Sequence, residues 1–247
     1  MTAQAPTSAL LTLSEVNAWY GAAHVLHHID LHVGQGEVVA LMGRNGAGKS
    51  TTLKSIMGLA PKRTGQIVFM GQSIIGYQPY QIARLGLGYV PEDRRIFTDL
   101  TVAENLDVGR QPSRYWPDGQ AVTTWTADKL YELFPNLATM GQRPASAMSG
   151  GEQQMLTVAR TLMGNPFLIL LDEPSEGIAP VIVEQMIAMI LALKAHGASI
   201  LLAEQNIYFA QLVADRVYVL EKGAIRYSGS MAELTANEAV RQAYLGL

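Results

Sequence analysis

The chain has no cysteine in its 247 residues. Disulfides, thiolate metal sites and a cysteine nucleophile are therefore excluded. It also lacks a long apolar run. The longest candidate, Met186–Leu193, stops at Lys194, far short of the ~18–20 residues that cross a bilayer. Met1–Ala9 has neither the basic start nor the apolar stretch of a signal peptide, and residues 1–9 read as a loose tail. There is no basic excess: 18 Lys and Arg stand against 21 Asp and Glu, and no Lys/Arg cluster occurs. A nucleic-acid partner is not expected. No internal repeat or low-complexity block interrupts the chain. With 49% hydrophobic residues, it is long enough to bury a sizeable core as one large α/β domain or two small lobes.

Gly43-Arg44-Asn45-Gly46-Ala47-Gly48-Lys49-Ser50-Thr51 fits the phosphate-binding pattern G-x-x-x-x-G-K-[S/T] at each constrained place. Glycines let the backbone curl and turn its N–H groups toward phosphate oxygens. A helix expected over about Lys49–Leu59 points its positive end at the same anion. Lys49 is expected to reach the β- and γ-phosphates and Ser50 to take a Mg²⁺ position. The preceding Glu37–Met42 reads as a buried strand, which gives the required order of strand, loop and helix.

Phe167-Leu-Ile-Leu-Leu-Asp172-Glu173 reads as a parallel strand buried on both faces, with its carboxyl end opening onto a ligand crevice. Asp172 is expected to hold Mg²⁺ through water. Glu173 is placed to polarise an attacking water as general base.

Leu11–Val16 and His24–Val33 alternate in the manner of strands in a small antiparallel sheet, continued by Gly65–Met70 and Ile74. Gly86–Val90 is a further strand. Residues from about 92 to 155 read as a helical insertion into the α/β core, with Thr101 a helix cap and Leu130, Leu133 and Phe134 on one helix face. Glu152–Met163 is predicted helical, with Met155, Leu156, Ala159 and Leu162 toward the core. A helix over Val181–His196, a strand over Ser199–Ala203, a helix over Ile207–Asp215 and strands over Val217–Leu220 and Ala224–Ser228 complete the pattern. This alternation calls for a mostly parallel sheet covered on both faces.

Ser149-Gly150-Gly151-Glu152-Gln153 lies 100 residues after Lys49 and 23 before Asp172. By itself, Ser-Gly-Gly is an ordinary helix cap, and it offers a hydroxyl and close-approach N–H groups at a helix start. In this order and spacing it resembles the signature of the ATP-binding subunits of ABC transporters. The resemblance covers about Leu11–Leu247. It implies a P-loop NTPase core with a small antiparallel β-subdomain and an inserted helical subdomain, all within residues 10–247. It also implies that Ser149, Gly150, Gly151 and Glu152 close on ATP held by a second ATPase subunit. Tyr20 sits where the family stacks an aromatic on adenine. Glu92 stands where most members have a glutamine that senses the γ-phosphate and contacts the membrane partner. Gln205 stands where most have a histidine, and Ala179 where many have an aspartate.

Tyr-Val-Pro-Glu-Asp-Arg-Arg (89–95), Asp-Glu-Pro-Ser-Glu-Gly-Ile-Ala-Pro (172–180) and Ala-Glu-Gln-Asn (203–206) are similar to one ATPase subunit of branched-chain amino acid importers, and to related urea and amide importers. The resemblance implies ATP and Mg²⁺ as cofactors and Glu173, Lys49, Gln205 and Glu92 in the catalytic machinery, with Glu92 also near the metal. It implies a second ATPase subunit, either a non-identical homologue or another copy. Two membrane permease subunits and an external substrate-binding protein complete the set, with this chain peripheral at the cytoplasmic face of the inner membrane. A soluble ATPase without a membrane partner and a regulatory half without turnover are the rival expectations. Co-purification and single-site turnover separate them from the first.

Overall fold

The computed structural model describes residues 9–245. Of the tail expected over residues 1–9, residues 1–8 lie outside the described residues. Ala9, placed with that tail, instead opens the first strand.

Strand β1 (Ala9–Tyr20) turns tightly into β2 (Ala23–Gly34), so that Tyr20 faces Ala23. The other edge of β1 pairs with β4 (Lys62–Phe69), which pairs with the short β5 (Gln72–Ser73). This antiparallel sheet has the order β2-β1-β4-β5. Ile74 falls just beyond β5 rather than within a strand, yet it is fully buried.

The second sheet runs β10-β9-β3-β8-β7-β6. It comprises β3 (Val38–Met42), β6 (Leu87–Val90), β7 (Leu168–Asp172), β8 (Ser199–Glu204), β9 (Arg216–Glu221) and β10 (Ala224–Ser230). Its pairings are parallel except that of β10 with β9. Every residue of β3, β7 and β8 is buried, as continuous apolar runs in a doubly covered sheet require. Alternation along β7 divides the core. Leu168 and Leu170 pack with the antiparallel sheet, while Ile169 and Leu171 pack with the helices on the other face.

Helix α1 (Lys49–Ile56) is shorter than the expected Lys49–Leu59. Gly58, at φ 75°, turns the chain left-handed, and the Leu59 N–H returns to the Lys54 carbonyl at 2.8 Å, an ending that glycine makes cheap. Helix α2 (Pro79–Arg84) was not anticipated. Its Gln78–Gln81 capping box is a weaker sequence signal than the usual Ser or Thr.

Between β6 and β7 lie α3 (Val102–Gly109), α4 (Ala127–Leu133), α5 (Pro135–Ala138) and α6 (Gly150–Leu162). Thr101 caps α3 by accepting the Glu104 N–H at 3.2 Å, and Glu104 accepts the Thr101 N–H at 2.8 Å. Residues 110–126 leave this helical layer and reach the amino ends of the strands. There Trp116 packs on Phe167 with ring centres 4.8 Å apart. Asn165 accepts the Trp125 N–H at 2.7 Å and donates to the Gln111 carbonyl at 2.9 Å.

Helix α7 (Pro180–Ala195) precedes β8, and α8 (Ile207–Val213) precedes β9. The last elements, α9 (Met231–Ala236), α10 (Glu238–Val240) and a π-helical turn at Arg241–Leu245, were not anticipated. They are too short for a helical period to declare itself. No helix among the described residues is long and apolar enough to cross a membrane.

Candidate nucleotide site

The loop Gly43–Thr51 joins the end of β3 to α1. Gly48 caps the helix at φ 111°, a conformation closed to a side-chain-bearing residue. Arg44, Asn45 and Gly46 are exposed, whereas Ala47, Gly48 and Lys49 are buried. The loop is braced from behind: the Gly223 N–H donates to the Ala47 carbonyl at 2.8 Å, and the His27 N–H donates to the Gly223 carbonyl at 2.7 Å.

Lys49 is 3% exposed. Its Nζ donates to the Gly43 carbonyl at 2.7 Å and the Arg44 carbonyl at 3.1 Å. It also lies 3.1 Å from Glu173 Oε1. Glu173 follows β7 and is 8% exposed. Its φ of 47° is left-handed, a conformation that costs a non-glycine residue about 1–3 kcal/mol and tends to occur at functional sites. The Glu173 N–H is secured to the Ala203 carbonyl at 2.9 Å.

Asp172 is buried at the end of β7. Tyr89 donates its hydroxyl to Asp172 Oδ2 at 2.9 Å, while Oδ1 has no hydrogen-bond partner. Burial raises the Asp172 carboxyl above its ordinary value, opposed by the Ser50 and Tyr89 hydroxyls and by Lys54. The Tyr89 hydroxyl is raised as well, by burial and by Asp172. A buried carboxylate oxygen without a partner beside a serine hydroxyl is a donor set suited to a hard divalent cation. Among the described residues no three His, Cys, Asp or Glu side chains are grouped to hold a metal. Mg²⁺ typically takes one or two protein oxygens and completes its shell with phosphates and water, so these residues fit such an ion.

Tyr20, Glu92 and Asp172 line one cavity of about 390 Å³, together with Lys54, Leu59 and Tyr89. Tyr20 is 39% exposed at the end of β1. Glu92 is exposed just past β6. Gln205 is exposed just past β8, and only its backbone is tied, by an N–H donated to Glu204 Oε2 at 3.0 Å.

Ser149 caps α6, which begins at Gly150 rather than at Glu152. Glu152 accepts the Ser149 N–H at 2.6 Å and returns its own N–H to the Ser149 hydroxyl at 3.4 Å. The sequence identifies the helix start, but only this reciprocal cap places Glu152 inside the first turn. Among the described residues, no hydrogen bond joins Ser149–Glu152 to Gly43–Thr51.

Three site residues were not singled out by sequence reasoning. Tyr89 holds Asp172. Glu204 is a buried carboxylate at the end of β8. Glu176 is raised to about 7 by its contact with Glu173, by burial and by the charges of Glu173 and Glu92. Only the acid-rich stretch 172–176 offered a signal for Glu176. Tyr89 and Glu204 read as strand residues.

The family model described as ABC transporter matches residues 26–176. The chain is 42% identical to the high-affinity branched-chain amino acid transport ATP-binding protein BraG of Pseudomonas aeruginosa, over 96% of this chain and 100% of that protein. It is 33% identical to the lipopolysaccharide export system ATP-binding protein LptB of Haemophilus influenzae, over 96% of this chain and 97% of that one. A crystal structure of a nucleotide-free ATP-binding cassette from an ABC transporter superposes with a TM-score of 0.76 at 25% identity, covering 94% of this chain and 97% of the other. With a phosphate loop after β3 and the buried Asp172 and Glu173 at the end of β7, one strand away, the chain belongs to the ATP-binding proteins of ABC transporters, which couple ATP hydrolysis to transport.

Proposed function

We propose that this chain hydrolyses ATP at Gly43–Thr51 to drive a bacterial importer of branched-chain amino acids or a related small polar solute. The single observation that carries the catalytic part is the buried Lys49–Glu173 pair at 3.1 Å. Triphosphate oxygens arriving at Lys49 compete with Glu173 for the ammonium. The released carboxylate is then available to orient and deprotonate water. Ser50 and Asp172 would hold Mg²⁺, with Glu92 at the rim, and the ion would supply charge neutralisation at the phosphates. Tyr20 would stack on adenine, a contribution of about 1–3 kcal/mol. Gln205 would hydrogen-bond the γ-phosphate through its amide.

The Ser149–Glu152 helix start is separate from the loop within one chain. It would therefore close on ATP held by a second ATPase subunit, non-identical or another copy. Two membrane permease subunits receive the motion near Glu92, and an external binding protein delivers the solute. The chain works at the cytoplasmic face of the membrane.

The branched-chain amino acid reading is supported by 42% identity to BraG over its full length, against 33% to LptB. The full-length LptB likeness keeps lipopolysaccharide export as the second reading. Uptake of labelled leucine by vesicles carrying the assembled complex favours the first, and its absence with intact ATP turnover favours the second. Glu173→Gln should retain ATP binding and lose turnover by roughly 10²–10⁴-fold. Turnover at the wild-type rate would remove Glu173 as the base.

A further inference from the structure

Glu204 is 2% exposed, and the mechanism above does not use it. It ends β8, between the strand that leads into the phosphate loop and the strand that ends in Asp172. Its two oxygens serve two different turns. Oε1 accepts the Ser175 N–H at 3.1 Å. Oε2 accepts the N–H groups of Gln205 and Asn206, both at 3.0 Å. Asn206 then caps α8 by accepting the Phe209 N–H at 3.2 Å.

These partners are all donors. A protonated acid would have to turn its O–H toward an N–H, so the arrangement suits a carboxylate with both oxygens occupied. A buried carboxylate is costly unless it is satisfied in this way, and a neutral polar side chain would satisfy the strand end more simply. What the carboxylate adds is reach. It ties the turn that carries Glu173, Ser175 and Glu176 to the turn that presents Gln205. A second tie runs in parallel, from the Glu173 N–H to the Ala203 carbonyl at 2.9 Å. Residue 179, at the far end of the first turn, is an alanine with no side-chain cap for α7. That turn therefore has no polar side chain of its own at that position to register the state of the site.

We propose that Glu204 is a positioning residue that locks the Gln205 turn to the Glu173–Ser175 turn, so that a γ-phosphate contact at Gln205 sets the placement of the base. This inference rests on the assignment of Gln205 to the γ-phosphate and of Glu173 to water activation.

The test uses the full chain in its assembled transporter. Turnover, KM for ATP and backbone amide exchange are measured for wild type, Glu204→Gln, Glu204→Asp, Gln205→Ala and the Glu204→Gln/Gln205→Ala pair. Glu204→Gln should lower kcat about tenfold or more while leaving KM within about twofold. It should also speed exchange at Ser175, Gln205 and Asn206, with unchanged exchange in distant elements. The double variant should be no slower than the slower single variant, because both interrupt one linkage. Glu204→Asp keeps the charge and should recover part of kcat; it carries the test if Glu204→Gln does not fold.

Wild-type kcat in Glu204→Gln overturns the proposal. So do independent, multiplying effects in the double variant. Wild-type turnover in Gln205→Ala, with Glu204→Gln slow and both turns loosened, instead removes the γ-phosphate role of Gln205 and supports Glu204 as the anchor of the Glu173 turn.

Discussion

At the amino ends of the parallel strands, Glu37 and Arg216 form a two-pronged ion pair, with Arg216 Nε 2.7 Å from Oε1 and Nη2 3.0 Å from Oε2. Gly34 donates its N–H to the same carboxylate at 2.7 Å. Asp215 accepts the Val38 N–H at 3.0 Å and pairs with Lys194 at 2.5 Å. At the carboxyl ends of the same sheet, Asp172 keeps a buried oxygen with no partner, Glu173 sits in a left-handed conformation, and Glu176 crowds it. One end satisfies its charges within the fold. The other holds charges in geometry that a ligand would complete. The contrast shows where this fold stores strain and where it gains stability.

Three substitutions put that contrast to the test. The largest effect concerns Asp172. Asp172→Asn should cut turnover roughly 10- to 100-fold, the range for groups that hold a metal through its outer shell. The chain should melt no lower than wild type, because burial already disfavours the charged carboxylate. Melting curves beside steady-state rates test this, and a large drop in melting temperature would erase the contrast.

The second prediction concerns the opposite end. Glu37→Gln should destabilise the chain by about 2 kcal/mol, between exposed and fully buried pairs, with kcat per folded molecule unchanged. Urea unfolding and active-site titration measure the two quantities.

The third and smallest is the pH dependence, which should differ in sign between the two ends. Burial pushes the Glu37 carboxyl up, but the Arg216 and Gly34 hydrogen bonds outweigh it and leave the group below its ordinary 4.5. Its stabilisation is present above that value and is lost as pH falls through the lowered one. Glu176 is raised from 4.5 to about 7. Its contribution is present below pH 4.5 and is lost as pH rises through about 7. Glu37→Gln should therefore weaken the acid-side loss, and Glu176→Gln should flatten the change between pH 4.5 and about 7. Thermal melting from about pH 3 to about pH 8 spans both windows and checks both.

Much of the site was legible because its chemistry is local. A loop that wraps a phosphate needs glycines and a lysine within nine residues, and α1 follows them directly. The apolar run into Asp172 announced β7 for a similar reason. Thr101 announced its helix because a cap acts across three residues. Tyr89, Glu204 and Arg216 were illegible because their partners lie 83, 29 and 179 residues away. The short C-terminal helices stayed hidden because packing on the sheet, rather than an apolar period, holds them.

The sequence alone determined that a phosphate loop, an acid-ended strand and a signature helix exist, since each is a short-range pattern set by backbone freedom and hydrophobic alternation. How they meet follows from the order of the strands. Parallel pairing sets β7 beside β8 and β8 beside β3, so the ends of three distant segments share one rim. That adjacency brings Glu173 within 3.1 Å of Lys49 and lets Glu204 reach two turns at once. The physical reason is that strand order is settled by the burial of whole faces, a sum over the sheet that no local stretch of residues contains.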